Sequence, residues 1–293
     1  MVAVTVGLPF FDAQDSLAAA IRSVFAQTFA DWELLLVDDG SRDRSLDIAR
    51  RVADPRVRVL SDGKNRRLPA RLNQIADAAR GEFVARLDAD DLMHPERLAR
   101  EVRALRERPS SDLVGTACFA LSDRCRVVGV LGTDPVCTNP YRVLRRGLLA
   151  HATILCRTQW CRSNRYDERY PRAEDRELFC RTLGRARFEH IRDPLYFIGS
   201  RKSTTAVLRD YIQTSRDNRR LFAQHAPRLV GSLFLPPLFM ESIAKEAIFR
   251  GATALGLQRM LVHSRGRPAS AEEVLEGDRA LRWIRDTGVR GLD

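Results

Sequence analysis

Three sets of acids in this chain have the types and spacing for chemistry. Asp88, Asp90 and Asp91 fall within four residues of one another in Leu87-Asp88-Ala89-Asp90-Asp91. Carboxylates that close repel one another and lose hydration, and a hard divalent cation bound to a diphosphate would offset both costs. Asp38 and Asp39 precede Gly40-Ser41, which taken alone is ordinary turn chemistry. Between them Lys64-Asn65-Arg66-Arg67 leads into Leu68-Pro69-Ala70-Arg71, a basic helix entry that suits phosphate oxygens or a solvated face equally well. The third set opens Ala173-Glu174-Asp175-Arg176-Glu177, where Leu178 and Phe179 turn inward at helical spacing. Its acids either face a cleft or stabilise the first helical turn, and spacing leaves both open.

The elements that must position these residues alternate. Val2 to Leu8 reads as a buried strand stopped by Pro9, and Asp15 or Ser16 caps a helix to about Gln27. Strands at 32–37, 57–60 and 82–87 then alternate with helices at 43–52 and 68–79, and Pro95 opens the next helix. Strands joined by helical crossovers lie parallel, and ligands sit beyond their carboxyl ends. Both aspartate sets stand at such ends. In a chain of net charge +11, two acidic strand ends on one sheet edge favour a metal site over a solvated acidic turn.

From Asp112 the runs shorten: strands at 112–121, 126–131, 153–156, 188–191 and 195–198, with helices at 141–149 and 174–183. Only helical spacing follows from about Thr205, and Ser270-Ala271-Glu272-Glu273 is a capping box opening a last helix. The expected organisation is an α/β domain over 1–204, in two parts at about 1–108 and about 109–204, then a helical region over 205–293.

With 44% hydrophobic and 30% charged residues in 293 positions, the chain carries enough apolar surface for a core without disulfide or metal staples. The 49 cationic side chains include only three lysines, and the resulting field attracts phosphates, nucleic acids and anionic membranes without choosing among them. Apolar runs such as Leu233 to Met240, broken by Pro236 and Pro237, fall short of the roughly 18 residues of a spanning helix. No basic leader precedes Val2-Ala3-Val4, so the expected compartment is the cytoplasm. The six cysteines lack zinc-ligand spacing and read as buried thiols. Residues 229–261 combine apolar positions with Arg228, Lys245, Arg250 and Arg259, a pattern open to packing on the catalytic domain, to an oligomer interface or to a peripheral contact with an anionic membrane.

Five segments taken together, in their order, resemble the family 2 glycosyltransferases: Val6-Gly-Leu-Pro-Phe-Phe-Asp12, Ser23-Val-Phe-Ala-Gln-Thr-Phe29, Trp32-Glu-Leu-Leu-Leu-Val-Asp-Asp-Gly-Ser41, Ala79-Arg-Gly-Glu-Phe-Val-Ala-Arg-Leu-Asp-Ala-Asp-Asp91 and Ala173-Glu-Asp-Arg-Glu-Leu-Phe-Cys-Arg181. The resemblance covers Val2 to about Ser200. It implies a Rossmann-like wound mixed α/β sheet of the A-type glycosyltransferase fold, followed by a helical C-terminal region, and an inverting enzyme. By the same resemblance Pro9 lines the base pocket and Asp38 and Asp39 bind the donor, with Asp39 accepting from the nucleobase. Because a carboxylate needs an N–H edge, this favours uracil, thymine or guanine over cytosine. Asp88 lies near the ribose, Asp90 holds Mn²⁺ or Mg²⁺ with Asp91 in support, and Lys64 and Arg71 reach the diphosphate. Asp175 is the general base, with Glu174 and His151 on the acceptor side.

The implied partners are a nucleoside-diphosphate sugar and a glycan or lipid-linked acceptor, with no nucleic acid. Phe11-Asp12 stands where the family has Tyr-Asn, and Gly199-Ser200-Arg201-Lys202-Ser203 replaces its basic, histidine-bearing segment. A nucleotidyltransferase is the nearest rival, yet it needs a glycine-rich phosphate loop where Pro9-Phe10-Phe11-Asp12 stands. A nucleic-acid-binding module is the other rival, and acidic clusters at the centre of its groove argue against it.

Overall fold

The computed structural model describes residues 2–122, 124–199, 204–255 and 266–293, without the side chains of 204–207. Val4–Phe10 (β1) and Trp32–Asp38 (β2) are apolar without alternation because both faces of each are covered, and every residue in them is buried. Leu17–Phe25 (α1) turns Leu17, Ala20, Ile21 and Val24 into the core between them. Ser45–Arg51 (α2), Val57–Ser61 (β3), Arg67–Ala78 (α3) and Phe83–Arg86 (β4) complete four parallel strands in the order β4-β1-β2-β3.

Pro9 does not stop β1, contrary to the sequence expectation; it lies inside the strand, in register with Val37. The reason is directional. Odd-numbered residues of β1 bond toward β4, as in the Leu87 N–H to Gly7 O bond, and the β4 ladder ends at Gly7–Arg86. The missing N–H of Pro9 therefore removes no ladder bond.

The chain continues through Leu92–Met93 (β5), Arg97–Glu107 (α4), Leu113–Leu121 (β6), Val127–Leu131 (β7), Pro140–Arg146 (α5), Leu155–Arg157 (β8), Thr158–Ser163 (α6), Glu174–Thr182 (α7) and Phe188–Ile198 (β9). β8 extends the parallel part antiparallel to β4, and β6 lies antiparallel to β8 and β7 and parallel to β9. The sheet is therefore mixed, as expected. Two local expectations change. Thr153 belongs to a tight turn over His151–Thr153 that precedes β8. The two short strands at 188–191 and 195–198 are one, because an irregularity in the β6 register next to Pro194 absorbs the proline.

Thr204–Leu229 (α8) and Leu235–Ala254 (α9) form a helical hairpin, and Arg267–Pro268 (β10) and Ala271–Asp286 (α10) return to the sheet. The tail is thus not purely helical: β10 pairs antiparallel with β7. The capping box forms as read, with Ser270 and Glu273 exchanging side-chain-to-backbone bonds. Three buried clusters share the sheet, the third packing Phe119, Val130 and Phe197 against Ala280 and Ile284 of α10. Leu34 and Leu36 face α1 and α4, whereas Leu35 and Val37 face α3 and, through Phe179, Leu221 and Leu238, the helices of the second half.

The cysteines depart from expectation. Cys156 and Cys161 form a disulfide, Cys125 is exposed and Cys137 half-buried, leaving Cys118 and Cys180 as buried thiols. The short step from β8 into α6 brings the bonded pair together. Among the described residues no helix is long and apolar enough to cross a membrane. The replaced segment at 200–203 and the part of the tail at 256–261 lie outside the described residues.

Candidate active site

Parallel pairing brings the exits of β1, β2 and β4 to one edge, and the first acids lie there. The Asp39 N–H donates to Phe10 O at 2.8 Å, closing β2 onto β1. Gly40 then takes φ +77°, and a Cβ there would stand 2.8 Å from the Lys64 backbone carbon, so only glycine passes the loop this closely. Asp38 accepts from the Ser41 N–H at 2.9 Å and from the Ser61 hydroxyl at 2.7 Å. Asp39 accepts from the Arg66 N–H (2.7 Å), the Arg67 N–H (3.1 Å) and Arg71 Nε (2.8 Å).

Arg71 is 1% exposed and also donates to Gln74 (2.8 Å), Asp62 (2.7 Å) and the Lys64 carbonyl. Burial opposes its charge, but hydrogen bonds to Asp62 and Asp39 prevail and raise its pKa. The same Arg71 bond holds the Asp62 carboxyl well below the usual carboxylate range. The fork of Arg71, expected at the diphosphate, is engaged here with Asp39 and the 62–64 loop. Lys64 is exposed, and its backbone rather than its ammonium engages this network, donating to Asp62 and accepting from Arg71.

The second set occupies the turn after β4. Oxygen atoms of Asp88, Asp90 and Asp91 lie within 4.8 Å of one another, a spacing that one cation can bridge. Asp90 is exposed, Asp88 half-buried and Asp91 buried. Burial, then the charges of Asp88 and Asp90, push the Asp91 carboxyl well above its usual range. Asp91 accepts from the Gly199 N–H at 2.9 Å, and Asp88 from Arg86 Nη2 at 2.6 Å. The donor set is three hard oxygens whose mutual repulsion a divalent cation would relieve, so these residues fit Mn²⁺ or Mg²⁺.

The third set faces the second across Arg86. This arginine ends β4, is 8% exposed, and its Nε is buried without a partner among the described residues. Its charge acts on Asp88 on one side and on Glu174 and Tyr166 on the other. Glu174 opens α7 and is buried, 3.5 Å from His151 Nδ1. His151 Nε2 lies 2.8 Å from the Tyr166 hydroxyl. Burial pushes the Glu174 carboxyl up to about 7 against the pull of Arg86. Burial, then Arg86, push the His151 imidazole down to about 3, so the ring is neutral at pH 7.

Asp175 is half-buried beside Glu174, and its charge and that of Asp88 both reach His151 and Tyr166. Glu177, one turn on, is held by Arg181 at 3.0 Å and faces His225 at 3.4 Å, which anchors α7 to α8. The expected base-side, metal-side and acceptor-side residues thus lie along one edge, with Pro9 buried beneath the first set. Sequence reading missed Arg86, Asn73, Tyr166 and Tyr196. Asn73 clamps the Tyr166 backbone in both directions, at 2.8 and 3.0 Å. An arginine inside a four-residue buried strand was the legible signal for Arg86.

Comparison with known proteins agrees with this geometry. The pattern of Glycosyl transferase family 2 matches residues 5–123. EpsE of Bacillus subtilis, named as a glycosyltransferase, is 31% identical over 235 residues, spanning 77% of this chain and 82% of EpsE. WfgD of Escherichia coli, named as a UDP-Glc:α-D-GlcNAc-diphosphoundecaprenol β-1,3-glucosyltransferase, is 26% identical over 53% of this chain and 58% of its own. The mannosyltransferase PcManGT of Pyrobaculum calidifontis, solved with GDP-Man and Mn²⁺, superposes with a TM-score of 0.59 at 17% identity, covering 96% of this chain and 85% of that one. At that identity the likeness concerns the fold.

Proposed function

Because the chain belongs to glycosyl transferase family 2, we propose that it moves a sugar from a UDP-, dTDP- or GDP-sugar to an acceptor hydroxyl with metal-assisted inversion. The observation that carries the reading is the Asp88, Asp90 and Asp91 oxygens gathered within 4.8 Å on the edge that also holds Asp39. Three internal donors reach Asp39, and an ionised carboxylate offers about four acceptor sites. One site remains for the N–H of uracil, thymine or guanine.

Asp88 and Asp90, with Asp91 beside them, would hold the ion. Bound Mn²⁺ or Mg²⁺ supplies Lewis-acid stabilisation of the charge that grows on the departing diphosphate. Asp175 takes the proton of the acceptor hydroxyl as that oxygen attacks the anomeric carbon opposite the diphosphate. The new C–O bond forms as the bond to the diphosphate oxygen breaks, which inverts the centre. Neutral His151 and buried Glu174 line the acceptor side and keep bulk water from the base.

A lipid-linked acceptor fits this reading, since the relative WfgD is named for a diphosphoundecaprenol-linked substrate. The exposed side of α9 supports presentation at a membrane surface: Met240, Ile243 and Ile248 are solvent-facing, with exposed Lys245 and Arg250 on the same helix. The test is nucleoside-diphosphate release from UDP-, dTDP- and GDP-sugars with a mixed acceptor preparation, with Mn²⁺ or with chelator. Metal-dependent release from one donor class is expected. Pyrophosphate release would instead indicate nucleotidyl transfer and overturn the assignment.

A further inference from the structure

The acidic turn is held by a residue distant in sequence. Tyr196 lies in β9, fully buried, in register with Met93 directly after the turn. Its hydroxyl accepts the Asp88 N–H at 3.1 Å, and the Asp91 carboxyl lies close enough for the two groups to act on each other's charge. A hydroxyl can accept that bond and still offer its own proton to a carboxylate, since it carries one donor and two acceptor lone pairs. Phenylalanine can do neither.

The ring is fixed in turn. The Arg97 guanidinium stands 5.1 Å from its centroid and is itself fully buried. Arg97 donates to the Arg86 carbonyl at 2.8 Å, to Ile154 O at 3.3 Å and to Glu101 at 3.1 Å, tying the end of β4 to α4. Just after β9, the Gly199 N–H takes Asp91, and a Cβ at Gly199 would stand 2.5 Å from the Asp90 carbonyl. The end of β9 therefore lies flush against the acidic turn from Asp88 to Asp91.

We propose that Tyr196 is the positioning residue of the cation site: its hydroxyl holds the Asp88 backbone beside the Asp91 carboxylate and so sets the spacing at which the acids meet an ion. The three carboxylates repel one another, and with no fixed support the turn would relax outward and separate its oxygens. Asp91, bonded to Gly199 and beside Tyr196, then serves as a strut, while Asp88 and Asp90 take the ion. The inference rests on the metal reading of the proposed function.

The experiment is direct Mn²⁺ binding in the presence of UDP, dTDP or GDP, followed by electron paramagnetic resonance of free Mn²⁺, for wild type and Tyr196→Phe. Loss of a support behind metal ligands typically weakens the metal by about 10- to 100-fold, and that loss is expected here. In turnover the defect should raise the Mn²⁺ concentration for half-maximal rate and shrink at saturating metal, a split that a general packing defect would not give. Arg97→Lys, which keeps the charge but loses the fork, should show the same split more weakly, and it decides the matter if Tyr196→Phe does not fold. Mn²⁺ affinity within twofold of wild type in folded Tyr196→Phe would overturn the inference while leaving the metal reading standing. A wild type that takes up no Mn²⁺ with any of the three nucleotides would overturn both.

Discussion

The acids after β2 and the acids after β4, on the same sheet edge, differ in how their charge is met: both sets accept from the chain, but only the second crowds three carboxylates together. Asp38, Asp39 and Asp62 are each met by donors of the chain itself, and Arg71 joins the last two through a fully buried fork. Asp88, Asp90 and Asp91 are pressed together, with burial and mutual repulsion driving Asp91 toward protonation. The first cluster is a finished structure that presents one remaining acceptor site. The second carries an electrostatic cost that an incoming cation would remove. Under the proposed function, preorganisation for a neutral hydrogen-bonding edge and for a charged ligand would thus take different forms in one fold.

The largest effect expected lies on the chemical side of that contrast. Asp175→Asn should keep donor binding and lose about 10² to 10⁴ in kcat, the usual contribution of a general base. Stopped-time product assays beside donor titrations decide this, and equal turnover would remove Asp175 from the role. Next comes the finished cluster. Arg71→Ala removes the buried partner of Asp39, a pair whose side chains are 1% and 10% exposed. Loss of one partner of a buried pair costs about 3–5 kcal/mol, with the lower end expected because Asp39 keeps its two backbone donors. Arg66→Ala removes a pair whose arginine is 54% exposed, for which at most about 1 kcal/mol is expected. Similar denaturation midpoints for the two variants would erase the contrast.

A smaller effect concerns pH. The folded-state pKa of Glu174 is raised by burial from 4.5 to about 7, so the fold holds its proton where the unfolded chain has released it. Its contribution is fully present below pH 4.5 and is lost as pH rises to about 7. His151 is lowered from 6.5 to about 3, which makes stability rise with pH through that window and opposes Glu174. Glu174→Gln leaves the His151 slope alone, so the variant should gain stability relative to wild type as pH rises from 4.5 to 7. Urea titrations across that range test this, and a pH-independent difference would contradict it. The smallest effect belongs to α9: co-sedimentation with phosphatidylglycerol vesicles is expected at low salt and should fall as salt screens the cations. No binding at low salt would remove the membrane contact.

Much of this was legible before any coordinates. The Asp39 and Asp88–Asp91 sets could be placed because β2 and β4 announce themselves as apolar runs, and whatever follows a parallel strand lies at the ligand edge. The place of Asp175 in the first turn of α7 was legible, whereas the direction of its side chain was not, because helix spacing left it open. What escaped were contacts closed by the tertiary fold: Tyr196 meets Asp88 across 108 residues, and Asn73 meets Tyr166 across 93. The Arg71–Asp39 bond was not legible because a basic helix entry looks the same whether its arginine faces phosphate or folds back on an acid. Pro9 was misread because the side on which a strand needs its N–H depends on where the neighbouring strand ends.

The most direct test of the account is thermal melting of wild type and Asp90→Ala with UDP-, dTDP- and GDP-sugars, each with Mn²⁺ and with chelator. A ligand at a hundredfold excess over its Kd adds about 2.7 kcal/mol to the folded state. The account predicts a rise in Tm for wild type with one donor class that requires Mn²⁺, and loss of that metal-dependent increment in Asp90→Ala. An equal rise with chelator present, or an undiminished one in Asp90→Ala, would contradict it.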